Sequence, residues 1–269
     1  MLHWWLNRAN IAGMSMFATI FAGGLGAGLL GALMGLGGAI VAIPFLNGLL
    51  HIPMHSAAAC GLVSTLATSC GASGRNLCQT ELVNVDLALK LQLSTALGGL
   101  AGGLVAGWLK GPVLQILFAA MLLYGGFEIG QSLRRRKEEA VSAITNRQQF
   151  IPALFLFFGA GMVSGLLGVG GGLLVVPLLH LFLCLPFRTA AATSNFMMGL
   201  TAVPALLTYL GRGDLDLVLA APLAGGVWLG SRLGAWLLGR AQSRLLKILF
   251  MIVLLLSAVQ MFWRGASSW

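Results

Sequence analysis

The residues best suited to chemistry in this chain are two glycine clusters set in long apolar runs, Gly35-Leu36-Gly37-Gly38 and Gly168-Val169-Gly170-Gly171-Gly172. A cluster of this kind interrupts a helix, and the half-helix after it presents orphan backbone N–H groups at the positive end of its dipole. Such an end is a ready anion site. Inside a bilayer, unwound backbone is tolerated only where it is buried in protein or lines a cavity. A matched pair of breaks therefore points to a binding site near the midplane. The bland alternative is close helix packing, because the same glycines satisfy small-xxx-small spacing. Repetition favours binding, with Gly37, Gly38, Gly170, Gly171 and Gly172 as its backbone groups.

Hydroxyl and amide side chains follow each break. Thr193, Ser194 and Asn195 open one apolar segment. The aligned positions in the first half are Cys60, Gly61 and Leu62, with Ser64, Thr65, Thr68 and Ser69 a turn or two further on. Neutral groups can hold a small oxyanion and release it at little desolvation cost; the alternative is that each hydroxyl bonds back to its own helix. Arg232, flanked by Gly230 and Gly234, is a cation within an apolar segment, and so a binding candidate unless it snorkels. Substrate binding is thus assigned to the five glycines with Ser64, Thr65, Thr193, Ser194, Asn195 and Arg232. Arg75 and Arg188 read as mouths or anchors at segment ends, and Glu128 as a snorkelling or pairing residue. Pro53 stands between His51 and His55 and no carboxylate joins them, so no metal site is expected. The HExxH and Gly-x-Ser-x-Gly patterns are absent, which argues against an enzyme. No cofactor is expected. The four cysteines lack CxxC spacing, and a disulfide framework is not expected.

The elements that would position these residues are membrane helices. Of 269 residues, 58% are hydrophobic and 9% charged, too apolar for a soluble core. Net charge is +9, but without the basic-aromatic surface that nucleic acid needs. Gly26–Ala59 matches Gly159–Ala192 without a gap at an offset of 133, with 14 of 34 positions identical. The identities include Gly35/Gly168, Gly37/Gly170, Gly38/Gly171, Pro44/Pro177 and Pro53/Pro186. Further on, GGLAGGLVAGW at 98–108 resembles GVWLGSRLGAW at 226–236. The chain reads as two repeats, 1–133 and 150–269, joined by a basic connector at 134–149. Each has a long leading block, 11–50 or 150–184, and three blocks of single-span length. The long blocks predict a helix, a glycine break and a second helix folding back. The N-terminal apolar run continues too far for a cleaved signal peptide. Five cations in the connector place it in the cytoplasm, with Arg240, Arg244 and Lys247 on the same side. Counting spans from there inverts the halves relative to each other and puts both termini outside. The expected fold is therefore an all-α polytopic membrane protein of two inverted-topology repeats, a frequent architecture of secondary transporters.

The repeated block G-x-x-[GS]-x-[LM]-x-G-x-G-G…P, then AAATSNFMMGLTA, Tyr209 and a Gly-Arg-Gly-Asp turn resemble the TauE/SafE family of sulfite- and organosulfonate-exporter-like proteins. The likeness spans nearly the whole chain and is most specific from Gly159 to Leu217. It implies a bacterial inner-membrane permease that moves a small anion such as a sulfur oxyanion or sulfonate. The partners so implied are that anion, the lipid bilayer and a coupling ion, H+ or Na+, with a homodimer among the allowed assemblies. Family members often carry Thr-Ser in the first copy too, where this chain has Cys60-Gly61. The second half is therefore expected to supply most side-chain contacts. The rival readings are a cation or metal transporter using His51, His55 and the cysteines, and a non-transporting membrane assembly factor.

Overall fold

A computed structural model describes residues 2–78, 85–134, 150–183, 185–238 and 243–267. All of the connector beyond Arg134 lies outside the described residues, as do the side chains of Arg75, Glu128 and Arg188. Every described element is helical: α1 Leu2–Met34, α2 Ala39–Pro44, α3 Met54–Cys78, α4 Val85–Ala106, α5 Gly111–Arg134, α6 Phe150–Leu167, α7 Gly172–Pro177, α8 Phe187–Gly211, α9 Leu217–Leu238 and α10 Ser243–Ser267. Among the described residues, Ser15–Met34, Ala88–Ala106, Thr189–Gly211 and Leu217–Leu238 are long and apolar enough to cross a membrane. Exposed Leu93, Leu97, Leu104, Phe155, Leu207, Leu233 and Leu256 lie on the outside of the bundle. An all-α membrane protein follows.

Both long blocks break where the glycines fall. α1 stops at Met34 and α6 at Leu167, and the next residues, Gly35 and Gly168, adopt φ +71° and +78°. Gly37 and Gly170 repeat the left-handed turn at +78° and +74°. Only glycine takes these angles freely. The reversal is closed the same way twice, by Leu36 N–H to Gly31 O at 3.0 Å and Val169 N–H to Ser164 O at 2.9 Å. In the first half the chain then runs back: Gly37 lies against Gly31, and the Phe45 ring against Gly23. Each returning helix meets a proline, Pro44 or Pro177, and the next five residues, Phe45–Leu49 or Leu178–Phe182, form a π-helical turn. Proline has no N–H to donate and crowds the preceding turn, and a widened turn relieves both. Asn47 Nδ2 donates to Ile52 O at 2.8 Å to close one such turn, and His180 Nδ1 does so to Leu185 O at 2.7 Å in the other.

The halves are held by exchange. Gly226, Gly230 and Gly234 of α9 press on the carbonyls of Phe21, Leu25 and Leu29 of α1 in ascending order, so these helices run the same way. Gly98 and Gly102 of α4 press likewise on Phe158 and Met162 of α6. Each leading helix thus packs along a helix of the other half. The two ladders are related by shifts of 133 for α1 to α6 and 132 for α4 to α9, pairing Gly98 with Gly230 and Gly102 with Gly234. The match of 98–108 with 226–236 is therefore one helical turn out of register, because glycines four apart look alike after a shift of one turn. α8 also runs with α4, Thr201 facing Gly99 and Thr208 facing Gly103. It runs against α3, whose Ser69 meets Gly199 while Ala58, Ala59 and Leu62 cluster with Ala202, Ala205 and Tyr209.

Candidate functional site

The two breaks meet in the middle of the molecule. Gly172 lies against the Leu36 backbone, so no side chain separates one break from the other there. Thr65 of α3 touches both Gly37 and Gly170, and its counterpart 133 residues on, Met198 of α8, touches both Gly37 and Gly172. Ala191 packs on Gly35 as Ala58 packs on Gly168. Each break is therefore seated on the helix that follows the break in the opposite half, α8 for the first and α3 for the second. Ser64, Thr65, Thr193, Ser194 and Asn195 are all fully buried around it.

A broken helix leaves carbonyl acceptors and N–H donors without intrahelical partners, and burial makes each one costly. Side chains supply the partners. Ser194 Oγ donates to Gly35 O at 2.8 Å and Asn195 Nδ2 to Ala32 O at 3.0 Å, so the second half caps the first break. In return, the Thr65 hydroxyl lies 2.9 Å from Val169 O and 3.0 Å from Gly61 O, its one proton serving either. The acceptors of the equivalent N–H groups differ between halves. Gly38 N–H donates to Thr68 Oγ1 at 3.0 Å, whereas Gly171 N–H donates to Ser164 Oγ. Ser64 Oγ and Asn195 Oδ1 remain without a hydrogen-bond partner. Among the described residues every buried polar side chain is neutral: Asn, Gln, Ser, Thr or Tyr. Such a centre can stabilise a charge only by dipoles and hydrogen bonds.

The sequence pattern of the family described as Sulfite exporter TauE/SafE matches residues 20–261, which span both breaks and all the caps just described. The chain belongs to the TauE/SafE family. That family is one of membrane transporters. The probable membrane transporter protein YunE of Bacillus subtilis is 25% identical over 272 residues, 94% of this chain and 99% of that protein. A probable membrane transporter protein of Xylella fastidiosa is 26% identical over 260 residues, covering 94% and 97%. YdhB of Bacillus subtilis, also named a probable membrane transporter protein, is 26% identical over 208 residues, covering 77% and 84%. No solved structure matches the chain.

Not every candidate of this TauE/SafE chain reaches the centre. Arg232 lies on the exposed side of α9 with its guanidinium 5.0 Å from the Trp228 ring centroid, while its neighbours Ser231 and Gly234 face inward. His51 and His55 turn to different partners: His51 Nε2 is 2.8 Å from Arg264 Nη2, and His55 Nε2 is 3.1 Å from Leu109 O in the link between α4 and α5. Sequence reasoning passed over several groups at the second break. Ser164 stands where the first copy has Gly31, and its polarity was the only signal. Thr201 is the repeat partner of Thr68 at the same offset of 133, beyond the gapless block that ends at Ala192. Its hydroxyl lies 3.1 Å from the Gln92 side-chain amide and 3.3 Å from Thr95 Oγ1, which makes a buried polar link between α8 and α4.

Proposed function

We propose that the protein is a secondary transporter of a small anion, a sulfur oxyanion or organosulfonate, working by alternating access at a midplane site between the two breaks. The single observation that carries this is the meeting of two glycine breaks at a buried, neutral centre, each capped by side chains of the other half. Helix ends there offer N–H groups to an oxyanion, with Gly37, Gly38, Gly170, Gly171, Gly172, Ser64, Thr65, Thr193, Ser194 and Asn195 around it. The unpartnered Ser64 hydroxyl and Asn195 carbonyl are the polar atoms free to turn to a ligand. A neutral lining holds the anion without a fixed countercharge that would have to be stripped on release. The caps exchange as the halves rock, because an uncapped buried carbonyl costs about 1–3 kcal/mol.

The reading includes two halves of inverted topology in a bacterial inner membrane, with the 134–149 connector cytoplasmic and both termini outside. What supports the inversion is helix direction. α1 runs with α9, α4 runs with both α6 and α8, and only residues 212–216 separate α8 from α9. A hairpin at that turn sets α1 against α6 and α3 against α8. The family supports transport, and the name sulfite exporter supports the sulfur oxyanion.

A flux screen in proteoliposomes with sulfite, thiosulfate, sulfoacetate and taurine tests the substrate. Ser194→Ala tests the site: it removes the cap on Gly35 O, and flux is expected to fall about fivefold or more for the 1–3 kcal/mol lost, with insertion intact. Wild-type flux in a well-inserted Ser194→Ala protein would mean that the site lies elsewhere.

A further inference from the structure

The α8–α9 turn carries a polar chain that leads from the surface to the second break. Tyr209, in the last turn of α8, is fully buried among Ala58, Ala59 and Leu62 of α3 and Ala106 of α4. Its hydroxyl donates to Leu166 O at 2.8 Å, two residues before Gly168. The Arg212 guanidinium lies 4.3 Å from the centroid of the same ring. Arg212 Nε donates to Asp214 Oδ2 at 2.8 Å, and Nη1 to Gly103 O at 2.6 Å. The ion pair is partly exposed, the two side chains being 27% and 23% exposed.

Leu166 and Gly103 lie in the last turns of α6 and α4, where carbonyls lack intrahelical partners. Tyr209 and Arg212 thus close two neighbouring helix ends through polar contacts that water can replace once the turn moves. A ring present only to fill space would need no hydroxyl; this one reaches the backbone directly ahead of the break. The Asp214 carboxylate offers the guanidinium a negatively charged oxygen acceptor, as an oxyanion also does.

We infer that Tyr209 and Arg212 form a gate between the second glycine break and the aqueous face at the α8–α9 turn, and that Asp214 holds on Arg212 the place an oxyanion takes when the gate opens. The second clause rests on the anion-transport reading; the first does not.

The test is labelling by a membrane-impermeant maleimide in a background of Cys60→Ala, Cys70→Ala, Cys78→Ala and Cys184→Ala. Leu62→Cys reports from beside Tyr209, and Met261→Cys, buried on α10, reports general loosening. Leu62→Cys is expected to react slowly in this background and roughly tenfold faster when local opening is eased by Tyr209→Ala. Tyr209→Phe, which keeps the ring, is expected to give a smaller gain, and Met261→Cys is expected not to change. An unchanged Leu62→Cys rate, or equal gains at both reporters, overturns the gate. Sulfoacetate, whose sulfonate does not add to maleimides as sulfite does, is expected to speed Leu62→Cys labelling, and not to do so with Arg212→Gln. If sulfoacetate crosses the membrane yet leaves the rate unaltered, the exchange on Arg212 is wrong. If sulfoacetate neither crosses nor alters the rate, the anion reading falls for sulfonates and the Arg212 clause with it, while the Tyr209 comparison still decides the gate.

Discussion

At the scale of single residues, the glycines of the breaks do different physical jobs, and substitution should separate them. Gly35 needs both its left-handed backbone, φ +71°, and the missing side chain, since a Cβ would strike the Ala191 backbone. Gly171 has φ +108° but room, its nearest neighbours to a Cβ being Val175 at 3.6 Å and Thr201 at 3.8 Å. Gly26 and Gly159 have nothing within 4 Å of a Cβ. A left-handed L-residue costs about 1–2 kcal/mol, and overpacking adds about 1–3 kcal/mol. Gly35→Ala is therefore expected to lower the melting temperature in detergent most and Gly171→Ala less, with Gly26→Ala near neutral. Equal shifts for all three would mean that the breaks carry no special backbone demand. The need for glycine at 35 and 168 was legible in the sequence because the cluster occurs twice in register. The caps were only half legible. Ser194 and Asn195 stood out as polar residues in an apolar run, but their targets, the carbonyls of Gly35 and Ala32, lie 159 and 163 residues away. Arg232 shows the opposite failure: its sequence surroundings say membrane, and which side of α9 it faces depends on helix phase and on the helix packed there.

At the scale of elements, α1 and α9 approach until backbone meets backbone, and the glycines that allow it recur every fourth residue. Gly226, Gly230 and Gly234 all face α1, whereas Gly225, one residue off the stripe, has only ordinary contact with the Phe21 ring at 3.5 Å from a Cβ. Gly226→Ala is expected to push the two helices apart and reduce the monodisperse yield in size-exclusion chromatography. Gly225→Ala, the same change one residue away, should leave it intact. Comparable losses from both would show that α1 and α9 do not pack along this stripe. Block boundaries were legible, since apolar length and glycine or proline punctuation act locally. The register of α4 with α9 was not, because a four-residue period makes neighbouring alignments nearly equivalent and only the three-dimensional ladder tells them apart. The π-helical turns after Pro44 and Pro177 escaped for a related reason: proline announces a disturbance without saying whether the helix kinks, stops or widens.

At the scale of the whole molecule, the duplication has not produced two self-sufficient bodies. α1 lies along α9 and α6 along α4, while the first break is capped by Ser194 and Asn195 and the second by Thr65. A first half alone would expose to lipid the α1 face that the α9 glycines cover and leave Gly35 O and Ala32 O without their caps. A second half alone would do the same to α6 and Val169 O. Lipid cannot hydrogen-bond those carbonyls, so each missing cap is expensive. Transport by rocking one body against another needs an interface of this kind, made of exchanged contacts that can be remade in a second arrangement. Cutting the chain within 134–149 separates the halves without touching a described contact. Residues 1–140 and 141–269 expressed separately are expected to be degraded or aggregated, and their co-expression to restore a stable pair that copurifies through a tag on either piece. A first half that is monodisperse by itself would show that the exchanged ladders and caps are not what holds it together. Failure of the co-expressed halves to associate, with both inserted in the membrane, would assign the connector a structural part in joining them.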